Sequence, residues 1–179
     1  MDVNFDYYNI DASNDYHAIQ RLFIQLFGPD EVETGPLTDL VTRVAEESGV
    51  GSTIKTEEEE GSDPYAVLTV ISCRHAGLHG VLDYVRAKTA GAFHDALVTA
   101  LDEGHVGLVL SERLVNMPVQ VMGPMYRLLA EEMAAAVAEV RGWSVRSVSN
   151  VCRVAIICSH TISSSRGRID GRRTRRRRC

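Results

Sequence analysis

Two short clusters in this sequence hold residue types that could do chemistry. Cys73, His75 and His79 put a sulfur and two imidazoles close together, and two histidines four apart share one helix face, which could suit a metal. Zinc sites present three or four ligands and no fourth is evident here, so ordinary surface histidines beside a strand-end cysteine are the preferred reading. Ser111-Glu112-Arg113 sets a hydroxyl, an acid and a base in a row, with His105 across the strand. Consecutive residues cannot all face one substrate unless the turn is irregular. The preferred role is structural, with Glu112 and Arg113 fixing the turn after a buried strand by charge-assisted hydrogen bonds. Met117, Met122, Met125 and Met133 suit adaptable packing, with a promiscuous binding groove as the alternative. No catalytic residue, cofactor site or metal site is assigned, and the chain is expected not to be an enzyme.

The charge distribution is more informative. Residues 1–140 hold 8 Lys+Arg against 23 Asp+Glu, a formal −15, whereas residues 141–179 hold 11 Arg and one Asp, a formal +10. An acidic domain attracts basic partners and repels nucleic acid, and an arginine tail does the opposite. The densest acidic stretch is Glu57-Glu58-Glu59-Glu60-Gly61-Ser62-Asp63. It cannot be buried and repels itself, so it is expected as a mobile loop between strands, either a solvated linker or a tract that binds a basic partner.

The rest of the composition bounds the class. A chain of 179 residues is one domain's worth, able to bury roughly 70% of its unfolded surface. No apolar run approaches the ~20 residues of a membrane helix, and the acidic start Met1-Asp2-Val3-Asn4-Phe5-Asp6 does not read as a secretory signal. Cys73, Cys152, Cys158 and Cys179 lack paired spacing and read as reduced thiols.

These residues need elements to position them. Val3, Phe5 and Tyr7 alternate with Asn4 and Asp6, predicting a half-buried strand that ends near Ile10. Ser13 or Asn14 can cap a helix with Ile19, Leu22, Phe23, Leu26 and Phe27 on one face, stopped by Gly28-Pro29. Pro36 starts a second helix through Leu37, Leu40, Val41 and Val44, closed at Gly49, and Val50 to Thr56 reads as a short strand. Tyr65 to Cys73 is a buried strand, Leu78 to Val85 a helix, and Ala92 to Leu101 another. Val106 to Leu110 suits a central strand, followed by a turn from Ser111 to Pro118. Pro124 to Val140 is the strongest helix, with Met125, Leu128, Leu129, Met133 and Ala136 turned inward. This order argues an α/β sandwich with a mixed sheet and flanking helices. Beyond Trp143 the composition turns to Ser and Arg, which favours disorder over residues 144–179 and an acidic domain over residues 1–143. Within that tail Val151 to Cys158 is apolar enough for a strand, although Arg153 interrupts it.

The segment Val106-Gly107-Leu108-Val109-Leu110-Ser111-Glu112-Arg113-Leu114-Val115-Asn116-Met117-Pro118, followed by Gly123-Pro124-Met125-Tyr126, resembles the signature of the BCCIP family. Asn14-Asp15-Tyr16 with Leu26-Phe27, Leu37-Thr38-Asp39-Leu40, and Gly51-Ser52-Thr53-Ile54-Lys55 before the acidic run follow in the family's order. The resemblance covers about Asp2 to Val140. It implies a fold similar to the GNAT acetyltransferases and a non-enzymatic adaptor of nucleus and cytoplasm. It also implies a role as escort for a basic large-subunit ribosomal protein, in ribosome biogenesis and nuclear export, with cell-cycle and recombination proteins as further partners. The family's pattern continues past the long helix with further strands, and this sequence departs from it near Trp143. That implies a shortened or altered C-terminus and an incomplete sheet with an unpaired edge.

The same resemblance sharpens one enzymatic alternative. Acetyltransferases of the similar fold place a [QR]-x-x-G-x-[GA] loop between strand and helix, whose N–H groups cradle the pyrophosphate of acetyl-CoA. In Arg74-His75-Ala76-Gly77-Leu78-His79-Gly80, Arg74 and Gly77 fit, His79 stands where a tiny residue is needed, and Gly80 comes one place late. Binding of RNA through the arginine tail is the other alternative. The expected partner surface is Glu57, Glu58, Glu59 and Glu60 together with Glu112, Arg113, Asn116 and Met117 of the signature turn, with no cofactor and no membrane.

Overall fold

A computed structural model describes residues 4–30, 32–56, 61–103, 106–141 and 153–158. Among these residues five strands, β1 (Phe5–Asn9), β2 (Ser52–Thr56), β3 (Ala66–Ser72), β4 (Val106–Arg113) and β5 (Arg153–Cys158), form one sheet in sequence order. The first four pair antiparallel, and β5 runs parallel to β4. The sheet is therefore mixed, as the order of elements argues. Among the described residues five helices flank it: α1 (Ala12–Phe27), α2 (Thr34–Ser48), α3 (His79–Lys88), α4 (Gly91–Glu103) and α5 (Met122–Arg141).

Period-two alternation along the strands divides the core into two layers. Val67 and Ile71 of β3 and Leu108 and Leu110 of β4 face a cluster built with α1, α2, α3 and α4. Ile54, Ala66, Leu68 and Val109 face the opposite way, against Met117, Met122, Met125 and Leu129 of α5 and the turn before it. The methionines are thus packing residues, and Met125 is fully buried. Of the described helices none is long and apolar enough to cross a membrane.

Helix starts differ from the expected ones for identifiable reasons. The N-cap of α1 is Asp11, in extended conformation and accepting from Ser13 N–H at 2.8 Å. Ser13 Oγ and Asn14 Nδ2 also donate to the Asp11 carboxylate, each at 2.6 Å, so the two residues expected as caps stabilise the cap instead. Pro36 lies inside the first turn of α2, which begins at Thr34, and Met122 rather than Pro124 opens α5. The strand expected to end at Leu110 runs on to Arg113, because Ser111, Glu112 and Arg113 continue the register opposite Leu68, Val67 and Ala66.

Within the Ser- and Arg-rich tail the structure describes residues 153–158. The apolar run inside it is a strand: Val154 to Cys158 register against Gly107 to Ser111, and this pairing covers the edge of β4 that an incomplete sheet would leave open. The remainder of residues 142–179 lies outside the described residues.

One contact ties α5 to the sheet. Glu132 of α5 accepts from Gly51 N–H at 2.8 Å on one carboxylate oxygen and from Ser52 Oγ at 2.8 Å on the other, clamping the start of β2. Removing both charge-assisted bonds by Glu132→Ala is expected to cost about 2–3 kcal/mol, and Glu132→Gln about half of that, because the amide retains one acceptor. Urea unfolding checks this. A midpoint unchanged in both variants would show that the clamp contributes nothing.

Candidate functional site

The signature turn divides into a buried scaffold and an exposed rim. Glu112, 3% exposed, accepts from Gln25 Nε2 of α1, and the same nitrogen donates to Arg113 C=O at 2.8 Å. The Arg113 guanidinium donates to the carbonyls of Leu114, at 3.2 Å, and Met117, at 2.6 Å, closing the loop on itself. Met117, 4% exposed, packs in the α5-side cluster. Of the four turn residues expected to meet a partner, Glu112 and Met117 are therefore interior, Arg113 is a brace, and Asn116 is exposed. Burial explains the difference: β4 is a central strand, so side chains at its end are covered by helices on both faces. The exposed apolar residues of this turn are Val115 and Val119, at 85% and 61% exposure, which the signature alone did not single out.

The loop between β3 and α3 is spoken for. His75 caps a short 3-10 turn, Ala76–Leu78, with its Nδ1 accepting from Gly77 N–H at 3.1 Å. Leu78 N–H goes to His75 C=O at 3.0 Å and His75 N–H to Ser72 C=O at 2.9 Å. The N–H groups of His75, Gly77 and Leu78 are thus used internally. Gly77 is small for another reason, since a Cβ there would meet Leu40 Cδ2 at 3.1 Å and the capping His75 ring at 3.3 Å. The adjoining cleft, lined in part by Arg74, His79, Arg86 and Asp102, measures about 140 Å³, below the ~300 Å³ of a small ligand pocket. Among the described residues no three of His, Cys, Asp and Glu converge as metal ligands, and Cys73 is buried.

A larger cleft, of about 650 Å³, opens where β1 meets the start of α1, lined by Tyr7, Tyr8, Asn9, Asp11, Asn14 and Lys55 among others. At its floor Lys55 Nζ lies 2.7 Å from Asp15 Oδ1, the two side chains only 3% and 0% exposed, and 5.6 Å from the centre of the Tyr8 ring. Carboxylates take the first backbone donors of α1: Asp15 that of Asp11 at 3.1 Å, Glu46 that of Ala12 at 2.7 Å, and Asp11 that of Ser13. Hydrogen bonds from the Ser13 side chain and backbone, and from Asn14, hold the Asp11 carboxyl below the usual carboxylate range, so it is ionised at neutral pH. The positive end of the α1 dipole is thereby answered from within. Of the acidic run, Glu57, Glu58, Glu59 and Glu60 lie outside the described residues, but Gly61, which follows them, lines this cleft. Sequence reasoning missed the cleft because its parts come from positions up to 54 residues apart; the signal that pointed to it was Lys55, a lone cation in a β-rich segment of an acidic chain.

The geometry can be set beside known proteins. A family model described as BCCIP matches residues 1–175, reaching further into the tail than the resemblance to Val140. Proteins named BCP1 are 39% identical over 153 residues in Debaryomyces hansenii, covering 76% of this chain and 49% of that protein. In Yarrowia lipolytica the values are 38% over 143 residues, with 74% and 47% covered. The chain spans about half the length of the curated relatives it matches. The crystal structure of BCP1 from Saccharomyces cerevisiae superposes with a TM-score of 0.63 at 32% identity, covering 76% of this chain and 59% of that one.

Proposed function

The chain belongs to the BCCIP family, and from that premise we propose that it acts as a non-enzymatic acidic adaptor, masking the charge of a basic client such as a large-subunit ribosomal protein. The observation that carries this reading is electrostatic: residues 1–140 have a formal charge of −15. The carboxylates at the start of α1 satisfy its own amides, so this end of the fold offers an anion little and a cation much. The occupied loop after β3 counts against an acyl-CoA enzyme at that position. A mixed sheet with one parallel β4–α5–β5 unit supports an acetyltransferase-like scaffold put to binding use. Ribosome biogenesis, nuclear export and residence in nucleus and cytoplasm belong to the same proposal, as do cell-cycle and recombination partners.

The test is kinetic. Charges further apart than about 8 Å are largely screened at physiological salt, so association with a purified basic ribosomal protein should slow steeply as salt rises. Replacing Glu57, Glu58, Glu59 and Glu60 with Gln should lower the association rate severalfold and leave the melting midpoint nearly unchanged. An association rate indifferent to salt would overturn the escort reading.

A further inference from the structure

Among the described residues β1 is an edge of the sheet, and its last residues, Tyr7 to Asn9, also line the cleft. Ile54 of β2 gives its carbonyl to Tyr65 N–H, at 2.8 Å, on the β3 side. Its partner across the first pair is Tyr7, and in an antiparallel ladder a residue's N–H and C=O point the same way. Tyr7 therefore directs its backbone groups away from β2, and by the period of two Phe5 and Asn9 do the same. Among the described residues β1 pairs on one side only. Its outward edge is guarded by a carboxylate: Asp6 Oδ1 accepts from Tyr7 N–H at 2.9 Å. A second copy of this edge would bring Asp6 towards another carboxylate, which disfavours self-pairing. A strand carrying arginine or lysine meets the opposite situation.

The cleft extends that surface. Asp11 offers an ionised carboxylate and Tyr8 an aromatic ring, Asn9 and Asn14 line the same cleft, and the Lys55 charge is balanced by Asp15. These are groups that accept a guanidinium or ammonium. Its volume of about 650 Å³ falls within the range of small-ligand pockets, enough room for one side chain.

We infer that an extended arginine- or lysine-rich segment of a partner adds as a strand along β1 and places a cationic side chain in the cleft beside Asp11, Asn14 and Tyr8. This rests on the basic-client reading and gives it an address. Main-chain bonds to Phe5 and Asn9 and to the Tyr7 carbonyl supply affinity, and the carboxylates at Asp6 and Asp11 supply the preference for positive charge.

Hexa-arginine is the probe, titrated against the full chain in which the six arginines from Arg172 to Arg178 are replaced by serine, which removes the chain's own arginine cluster. The expected result is saturable binding that slows backbone hydrogen exchange at Phe5 and Asn9 about tenfold. Asp6→Asn with Asp11→Asn, which keep the local acceptor and the cap, should weaken binding about fivefold without moving the melting midpoint. Salt-sensitive binding that leaves exchange at β1 unchanged and ignores both substitutions overturns the β1 site and leaves the escort reading standing. No binding of hexa-arginine, together with a salt-indifferent ribosomal client, removes both.

Discussion

Lys55→Met is expected to cost about 3–5 kcal/mol of folding stability, enough to threaten a domain whose whole margin is of order 5–15 kcal/mol. The reason is the company it keeps. Lys55 and Asp15 are 3% and 0% exposed and meet at 2.7 Å between the sheet and the first turn of α1. Removing the cation leaves the Asp15 carboxylate in a site from which water is excluded, with one backbone donor, Asp11 N–H, on its other oxygen. The penalty is that of an uncompensated buried charge rather than the net worth of the pair, which after desolvation is small. A second substitution separates the two ideas. Asp15→Asn added to Lys55→Met removes the stranded charge while keeping an acceptor for Asp11 N–H, and should recover more than half of the loss. Urea denaturation of the two variants decides it: a single variant within about 1 kcal/mol of the parent would mean that the pair is not buried as described.

That pair also marks the limit of what the sequence makes legible. The apolar faces of α1 and α2 follow from spacing, since Ile19, Leu22, Phe23, Leu26 and Phe27, and Leu37, Leu40 and Val41, are all buried. The strand from Ala66 to Ser72 and the inward methionines of α5 follow in the same way. These are local properties, set by periods of 3.6 and 2. What could not be read was long-range. Glu112 and Arg113 look like turn residues by type, yet they complete β4 because β3 continues opposite them and Gln25 of α1 satisfies both. Arg153 looks like a break in an apolar run, yet β4 supplies a neighbour for the strand it begins. The expected partner residues show the same division. Asn116 is exposed, whereas the burial of Glu112 and Met117 is decided by helices from elsewhere in the chain.

Gly51→Ala should be the most damaging single methyl in the domain, with an expected loss of about 3–4 kcal/mol. Two effects add at this position. Its φ of +132° lies where residues with a Cβ rarely sit, a strain of roughly 1–3 kcal/mol. A Cβ built there would also stand 2.7 Å from Thr69 Oγ1, 2.9 Å from Thr69 Cβ and 3.1 Å from Ile10 Cδ1. Thr69 cannot retreat cheaply, because it is fully buried and its hydroxyl donates to Val50 C=O at 3.1 Å. Gly51 N–H, moreover, is one of the two donors held by Glu132, so any backbone shift that relieves the clash loosens the clamp on β2. Gly49→Ala is the control that separates strain from crowding. Gly49 has φ +63° as the C-cap of α2, but a Cβ there meets nothing within 4 Å, so its substitution should cost only about 1 kcal/mol. Equal losses in the two variants would show that backbone strain alone matters and that the contact with Thr69 does not. A much larger loss at Gly51 would show that β2 starts where it does because the chain passes there too closely for any side chain. Ile10 lines the cleft beside β1, so a Gly51→Ala protein that still folds should also bind hexa-arginine less tightly, whereas the Gly49→Ala protein should bind it as the parent does.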